Sequence, residues 1–464
     1  MRSATRLAWI VACVAHRAVA DDSSQASQQV PSFARDKPRV EDVDHKTAGS
    51  FLSGLPLVGY DTSTGLGLGV GGYYTMDGKK DGLFTVTPYR HRIYVQAYAT
   101  TGGYQQHMIS YDGIYVGNSP YRVRATIEYE RNTSANYFGA SARETLPNLS
   151  FDGVSHTTYD DQQAAASMLR GLYASPNYNH YEYDRPSGSV TLERDFWGGR
   201  VRALYGFTAQ YSTVNKYDYT ETQGTDANGN SVPAIHGLTL LGMDCDAARA
   251  VSSQQWTRLG CGGGWSNGIK AGIALDTRDF EPDPTKGVFV DASGEWVTKA
   301  LGSTYDYLRF TVAARGYWSP LPKLTHLVLA LRLMYSMQTS EVPFYSLDTL
   351  ALTEGDQSGV GGERTLRGYR QSRFVGPISA IANLEVRWTF VRFKLLNQLF
   401  SIQIAPLFDL GTVVDDFGDF PTTTWKYSIG GGLRIGWNRS TIIMFDAAAS
   451  PEDVGMYIDF GMPF

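Results

Sequence analysis

The sequence predicts an all-β chain, a transmembrane antiparallel β-barrel of about 16 strands. Three observations carry the barrel. Residues alternate apolar and polar with period two over most of the chain after Ser50. No apolar run approaches the roughly 20 residues that a membrane-spanning helix needs. An aromatic residue, Phe464, closes the last alternating run.

The first 20 residues read as a signal peptide. Arg2 and Arg6 precede the apolar stretch Leu7 to Ala15, and Ala18-Val19-Ala20 offers small residues for cleavage before Asp21. Ile10-Val11-Ala12-Cys13 also fits a lipobox, which would acylate Cys13. Residues 21–49 are polar and aperiodic and read as a flexible periplasmic tail. The barrel is then expected over residues 50–464, and the place is the bacterial outer membrane.

Within the barrel region, Tyr121 to Glu130 alternates without a break, with apolar odd positions and polar even ones. Val201 to Ser212, Leu308 to Arg315, Ile378 to Phe390 and Ser401 to Asp409 repeat the pattern. Met456, Ile458, Phe460, Met462 and Phe464 share one face of the final run. Several Arg and Glu on the polar faces suit a wet lumen, and Tyr and Trp towards strand ends suit interfacial girdles. Long polar connections fall near Thr133–Asp184, Asp218–Gly237 and Ser340–Thr365, with a short helix expected from Gln162 to Tyr173. The 415 residues from Ser50, at about 25 per strand and connection, set the strand number near 16.

Charged residues make up 19% of the chain, below the roughly 25% of soluble proteins. The net charge of −5 and the lack of a basic patch argue against nucleic acid as a partner. If Cys13 leaves with a signal peptide, Cys245 and Cys261 remain as an even pair in an oxidising compartment, which points to a disulfide.

Gly361-Gly362-Glu363-Arg364-Thr365-Leu366-Arg367-Gly368-Tyr369 stands at the end of the third long connection. Asn383-Leu384-Glu385-Val386-Arg387 and Phe408-Asp409-Leu410-Gly411 follow it, with Glu385 and Asp409 on polar faces. Together these resemble the BamA-type outer-membrane assembly-factor family, also called the bacterial surface antigen family. The resemblance runs from Ser50 to the end and is strongest from Leu275. It includes Pro56 to Gly69, Leu275-Asp276-Thr277-Arg278-Asp279 with Pro284 and Gly287, and the closing segments Ser428–Trp437 and Gly455–Phe464.

The resemblance implies a long extracellular loop folded back into the lumen. Its Arg367 is expected to be latched by Glu385 and Asp409, since a guanidinium matches carboxylates bidentately. Gly368 is expected to let the tip turn and approach the wall, and Tyr369 to pack beside it. The resemblance also implies a lateral seam between the first and last strands, and a last strand whose Phe464, Phe460 and Ile458 are read as an assembly signal. The 29 residues of 21–49 are too few for a POTRA module. A bare barrel is therefore expected, with outer-membrane lipids as neighbours and the cell's barrel-assembly machinery inserting it. A separate periplasmic POTRA-bearing protein or lipoprotein would then supply delivery. The function expected is assistance to protein insertion or translocation, with a passive pore, or a structural or adhesive surface protein, as alternatives.

The Gly-x-Gly repeats of Gly65 to Gly72 are not followed by a helix and read as strand glycines rather than a phosphate loop. No His-Glu-x-x-His pattern occurs, and no enzyme activity, cofactor or metal is expected.

Overall fold

Period-two alternation over long runs gives strands whose two faces meet different solvents, and such strands close on themselves to remove their edges. The computed structural model follows that rule. It describes residues 30–37, 48–151, 153–168, 177–217, 223–225, 231–233, 239–245, 259–281, 283–322, 325–339, 341–395, 398–437 and 441–464. The expected signal segment 1–20, with Cys13, lies outside these residues.

Sixteen strands form a closed antiparallel barrel in which each pairs with its sequence neighbours. They are β1 (Gly49–Asp61), β2 (Gly65–Gly78), β3 (His91–Thr100), β4 (Tyr104–Gly113), β5 (Tyr121–Asn136), β6 (His180–Phe196), β7 (Val201–Asn215) and β8 (Gly264–Asp276). They continue as β9 (Gly287–Val297), β10 (Tyr307–Trp318), β11 (His326–Gln338), β12 (Ile378–Leu395), β13 (Gln398–Val414), β14 (Lys426–Trp437), β15 (Thr441–Ala449) and β16 (Val454–Phe460). The outward positions form an apolar belt that includes Leu68, Val70, Val95, Ile109, Ile127, Val190, Leu331 and Leu333, all exposed. Tyr211 packs on Trp265 and Trp388 on Phe390 in the outer wall.

The connections at one rim include the three longest, residues 137–179, 216–263 and 339–377. The opposite rim carries shorter turns, such as residues 197–200 and 319–325. The helix in the first long loop is Tyr159–Met168, starting earlier than the expected Gln162, and residues 169–176 lie outside the described set. Cys245 and Cys261, in the second long loop, are bonded, with Cα atoms 5.9 Å apart. An apolar cap of Tyr137, Tyr181, Leu241, Tyr305, Phe344 and Tyr345 joins the three long loops and β6 to the connection before β10.

Residues 30–37, read from the sequence as part of a flexible tail, dock on the short-turn rim instead. Ala34 is fully buried, and Val30 and Phe33 pack with it against Leu83, Tyr89, Ile114 and Tyr115. Lys37 reaches Asp195 at 2.9 Å, and the Asp36 amide donates to the Gly198 carbonyl at 2.9 Å. The short apolar group Phe33-Ala34 has no period to announce it, yet it fills a socket between turns. Fully burying a Phe side chain contributes about 1.5–3 kcal/mol, and the half-buried Phe33 and the Ala34 methyl each contribute less.

Gly67, Gly69 and Gly71 of β2 alternate with the outward Leu66, Leu68 and Val70, so they face the lumen, where two tyrosines lie across them. A Cβ at Gly67 would overlap the Tyr98 ring, and one at Gly71 would meet the Tyr94 hydroxyl. The repeat is a bed for two rings, reached by close backbone approach.

One ladder differs from the rest. Among the described residues, β1 and β16 meet through two residue pairs, Tyr60 with Ile458 and Asp61 with Tyr457. The next shortest ladder, β15 with β16, runs over seven pairs, from Ile443 with Phe460 to Ala449 with Val454. The seam is thus joined at the long-loop rim, and β1 from Gly49 to Gly59 is paired on its β2 side alone.

Candidate functional site

The third long loop, residues 339–377, occupies the lumen. Its own backbone turns make the tip compact. The Gly362 amide donates to the Tyr369 carbonyl at 3.0 Å, and Thr365 Oγ1 accepts from the Gly361 amide at 3.0 Å and donates to the Gly359 carbonyl at 2.6 Å. The loop buries an apolar face of Leu350, Leu352, Val360, Leu366 and Tyr369 against Ala313, Met334, Ile381 and Val413. Those four wall residues point inward, so the polar face of the barrel turns apolar where the loop covers it. The family-like tip sits in the middle of this loop, not at its end, with eight residues between Tyr369 and β12.

The structure brings Arg367 of the loop against Glu385 and Asp409 on the neighbouring strands β12 and β13. Arg367 Nε and Nη2 donate to the two Asp409 oxygens at 2.9 and 2.8 Å. Its Nη1 donates to Glu385 Oε1 at 2.5 Å and to Asp446 Oδ2 at 3.0 Å. Arg387 Nε donates to Glu385 Oε2 at 2.8 Å, and Arg434 bonds both Asp446 and Glu385. Three guanidiniums thus meet three carboxylates, each side chain at most 1% exposed. Charge balance of this kind is what makes such burial tolerable, because an unpaired ion in the interior costs several kcal/mol. Asn383 Nδ2 completes the cluster by donating to Asp409 at 2.7 Å and to the Thr365 carbonyl at 2.6 Å.

Gly368 serves the approach and not the turn. Its φ lies outside the left-handed region, but a Cβ there would come within 2.8 Å of Ala449, Ser428 and Ser450. Tyr369 is buried edge-on against Phe374, ring centres 4.9 Å apart. The deep end of the loop reaches the short-turn rim, where Arg278 and Arg315 bond Glu354 at 2.9 and 2.6 Å. Burial opposes the charge of Glu354, but these arginines outweigh it and hold its carboxyl below the ordinary range.

The end of the chain corrects one sequence expectation. Ile458 and Phe460 belong to β16, but Phe464 does not share their outward face. Gly461 takes φ +104°, and Pro463 cannot continue a ladder, so the last residues turn into the lumen. Phe464 is buried with Tyr317, Val328 and Ala330, under Arg332 at 4.8 Å and Arg387 at 5.1 Å. Arg332, Arg364 and Arg387 donate to the carbonyls of Pro463, Met462 and Phe464.

Sequence reasoning missed further members of the site. Asp446, Arg387 and Arg434 sit inward on β15, β12 and β14, as their strand parity allows. Arg364, Arg370 and Arg373 flank Arg367 at a spacing of three, a visible repeat within a loop that has no rule for what each arginine meets. The arrangement holds and positions: it ties one loop to most of the lumen wall by charge-assisted hydrogen bonds.

A family model described as the Omp85 superfamily domain matches residues 94–450. A second, described as a domain of unknown function (DUF5982), matches residues 34–90, which take in Ala34 of the docked segment, β1 and β2. Among solved structures, the chain is similar to BamA from Haemophilus ducreyi lacking POTRA domains 1–3, at 16% identity over 90% of this chain and 70% of that one, with a TM-score of 0.49. It is similar in fold to CdiB from Escherichia coli, at 10% identity over 89% of this chain and 62% of that one, with a TM-score of 0.50. The chain therefore spans about six tenths of the length of that CdiB. No curated protein matches the chain at a significant level.

Proposed function

The chain belongs to the Omp85 superfamily, and from that premise we propose that it works in the bacterial outer membrane, assisting the insertion or translocation of other proteins. The observation that carries this reading is the two-pair seam between β1 and β16. A backbone hydrogen bond contributes about 0.5–1.5 kcal/mol net, so so short a ladder parts for a few kcal/mol, far less than any other in the barrel. The seam edge of β1, from Gly49 to Gly59, carries backbone groups that an incoming strand can pair with. The latched inner loop supports the same reading, because it occupies much of the lumen and narrows the pore, which favours the wall as the route. In this account Arg367, Glu385 and Asp409 hold the loop and perform no bond chemistry. Phe464, Phe460 and Ile458 serve the barrel's own assembly, and a separate periplasmic POTRA-bearing protein or lipoprotein delivers substrate.

Reconstitution tests it. Liposomes holding the protein are expected to speed the insertion of an unfolded outer-membrane barrel at least several-fold over empty liposomes, read by protease protection. Equal rates with and without the protein contradict the proposal.

A passive pore is the second reading, and one observation favours it. The lumen wall of β3 to β6 is lined by half-exposed polar groups, Gln96, Gln106, Glu128, Ser187 and Ser189, outside the loop's apolar contact. Planar-bilayer recording separates the two. The intact chain is expected to stay mostly closed, and deletion of residues 359–374 to give steady, large conductance. Steady conductance from the intact chain supports the pore.

A further inference from the structure

Four arginines, Arg364, Arg367, Arg370 and Arg373, stand three residues apart in the inner loop, and all four hold the β15–β16 hairpin. Arg364 bonds Asp459 on β16, and Arg367 bonds Asp446 on β15. Arg370 and Arg373 bond Asp453 and Glu452, in the turn between the strands, at 2.6 and 2.5 Å. The loop therefore fixes one wall of the seam by charge at four places.

Arg370 alone of the four also reaches the other wall. While its Nε donates to Asp453 Oδ2 at 2.6 Å, its Nη1 donates to the Thr62 carbonyl at 2.6 Å, in the turn between β1 and β2. Thr62 is itself tied to β16. Its Oγ1 accepts from the Met456 amide at 2.8 Å and donates to the Met456 carbonyl at 3.3 Å. The Tyr159 ring covers the guanidinium at 4.4 Å. Both side chains of the Arg370–Asp453 pair are about 15% exposed or less, so the pair is screened less than a surface ion pair.

We propose that Arg370 is a positioning residue that clasps the seam: it holds the β1–β2 turn to the β15–β16 turn, and so couples parting of the seam at this rim to displacement of the inner loop. The chemistry suits the task. A guanidinium presents donors along more than one edge, so it serves a carboxylate on one wall and a carbonyl on the other at once, which a lysine ammonium on a flexible stem holds less firmly. Arg367 lies three residues away and is anchored in β12, β13 and β15. A shift of the tip that frees Arg367 drags Arg370 with it, and the two-pair ladder is then left with the Thr62–Met456 bonds for support. The proposal deepens the reading above and rests on it for what passes through the seam, but the opening itself is measured without any substrate.

The test uses the full chain in nanodiscs, with spin labels at Leu66→Cys and Val454→Cys, two exposed outward positions flanking the seam, and with the native disulfide left closed. The parent is expected to give one narrow distance distribution. Arg370→Ala and Asp453→Asn should both broaden it and lengthen its mean by about 5 Å, one strand spacing, and Arg370→Lys should fall between. Arg373→Ala removes a contact to the same turn but none to β1–β2, and should leave the distribution narrow. Should Arg370→Ala fail to fold, Asp453→Asn carries the test. Unchanged distributions in the folded variants overturn the clasp, and so does equal broadening in Arg373→Ala. Loss of insertion activity in the liposome assay with the expected spin-label pattern intact would count against the function alone.

Discussion

Arg367→Ala is expected to destabilise the barrel by about 3–5 kcal/mol, the usual cost of removing one partner from a buried ion cluster. The size follows from the charge balance. With Arg367 gone, Glu385, Asp409 and Asp446 face Arg387 and Arg434 alone, and Asp409 loses a bidentate partner at 2.8 and 2.9 Å. The backbone amide of residue 367 still donates to Asp409 at 3.1 Å, and Asn383 at 2.7 Å, so the carboxylate is not stranded entirely. Arg367→Lys should recover only part of the loss, because an ammonium cannot reach Asp409 through two parallel bonds and Glu385 and Asp446 through a third nitrogen. Urea unfolding in detergent, followed by the heat-sensitive shift in gel mobility, reads the change. A midpoint within error of the parent's would mean that the loop is held by its apolar face and not by the cluster.

The barrel was legible in the sequence because its physics is periodic. Strand parity alone places Glu385 and Asp409 inward, and the family-like tip supplies the cation between them. What stayed hidden lies where period two lapses. Inward apolar residues such as Ile381 and Val413 break the alternation, and the loop that covers them is what accounts for the break. The arginine repeat of the tip was countable, but only three-dimensional folding of the loop shows that its members converge on one hairpin. Alternation carried across Gly461 and Pro463, the two residues that end it, puts Phe464 on the face of Ile458 and Phe460. Residues 30–37 give no pattern in the sequence, because one Phe-Ala pair among mostly polar neighbours has no period, though it is enough to fill a socket.

The seam has a different kind of legibility. The glycines of β2 do not account for it, because they seat Tyr94 and Tyr98. The weakness of the ladder comes from the end of β16. That strand stops at Phe460, and the residues that might have lengthened its pairing with β1 turn inward to Arg332, Arg364 and Arg387. A short last strand and an inward-turned end leave β1 with one full neighbour.

Locking that seam tests the account most directly. Tyr60 and Ile458 face each other across it, and opposed positions of antiparallel strands place Cα atoms about 4.5–5.5 Å apart, within the span of a disulfide. The variant Tyr60→Cys/Ile458→Cys, made with Cys245→Ser and Cys261→Ser so that one bridge alone responds to reductant, is to be compared oxidised and reduced in the liposome insertion assay. The account predicts activity reduced to the level of empty liposomes when the bridge is closed, and restored on reduction. Full activity with the bridge closed contradicts it.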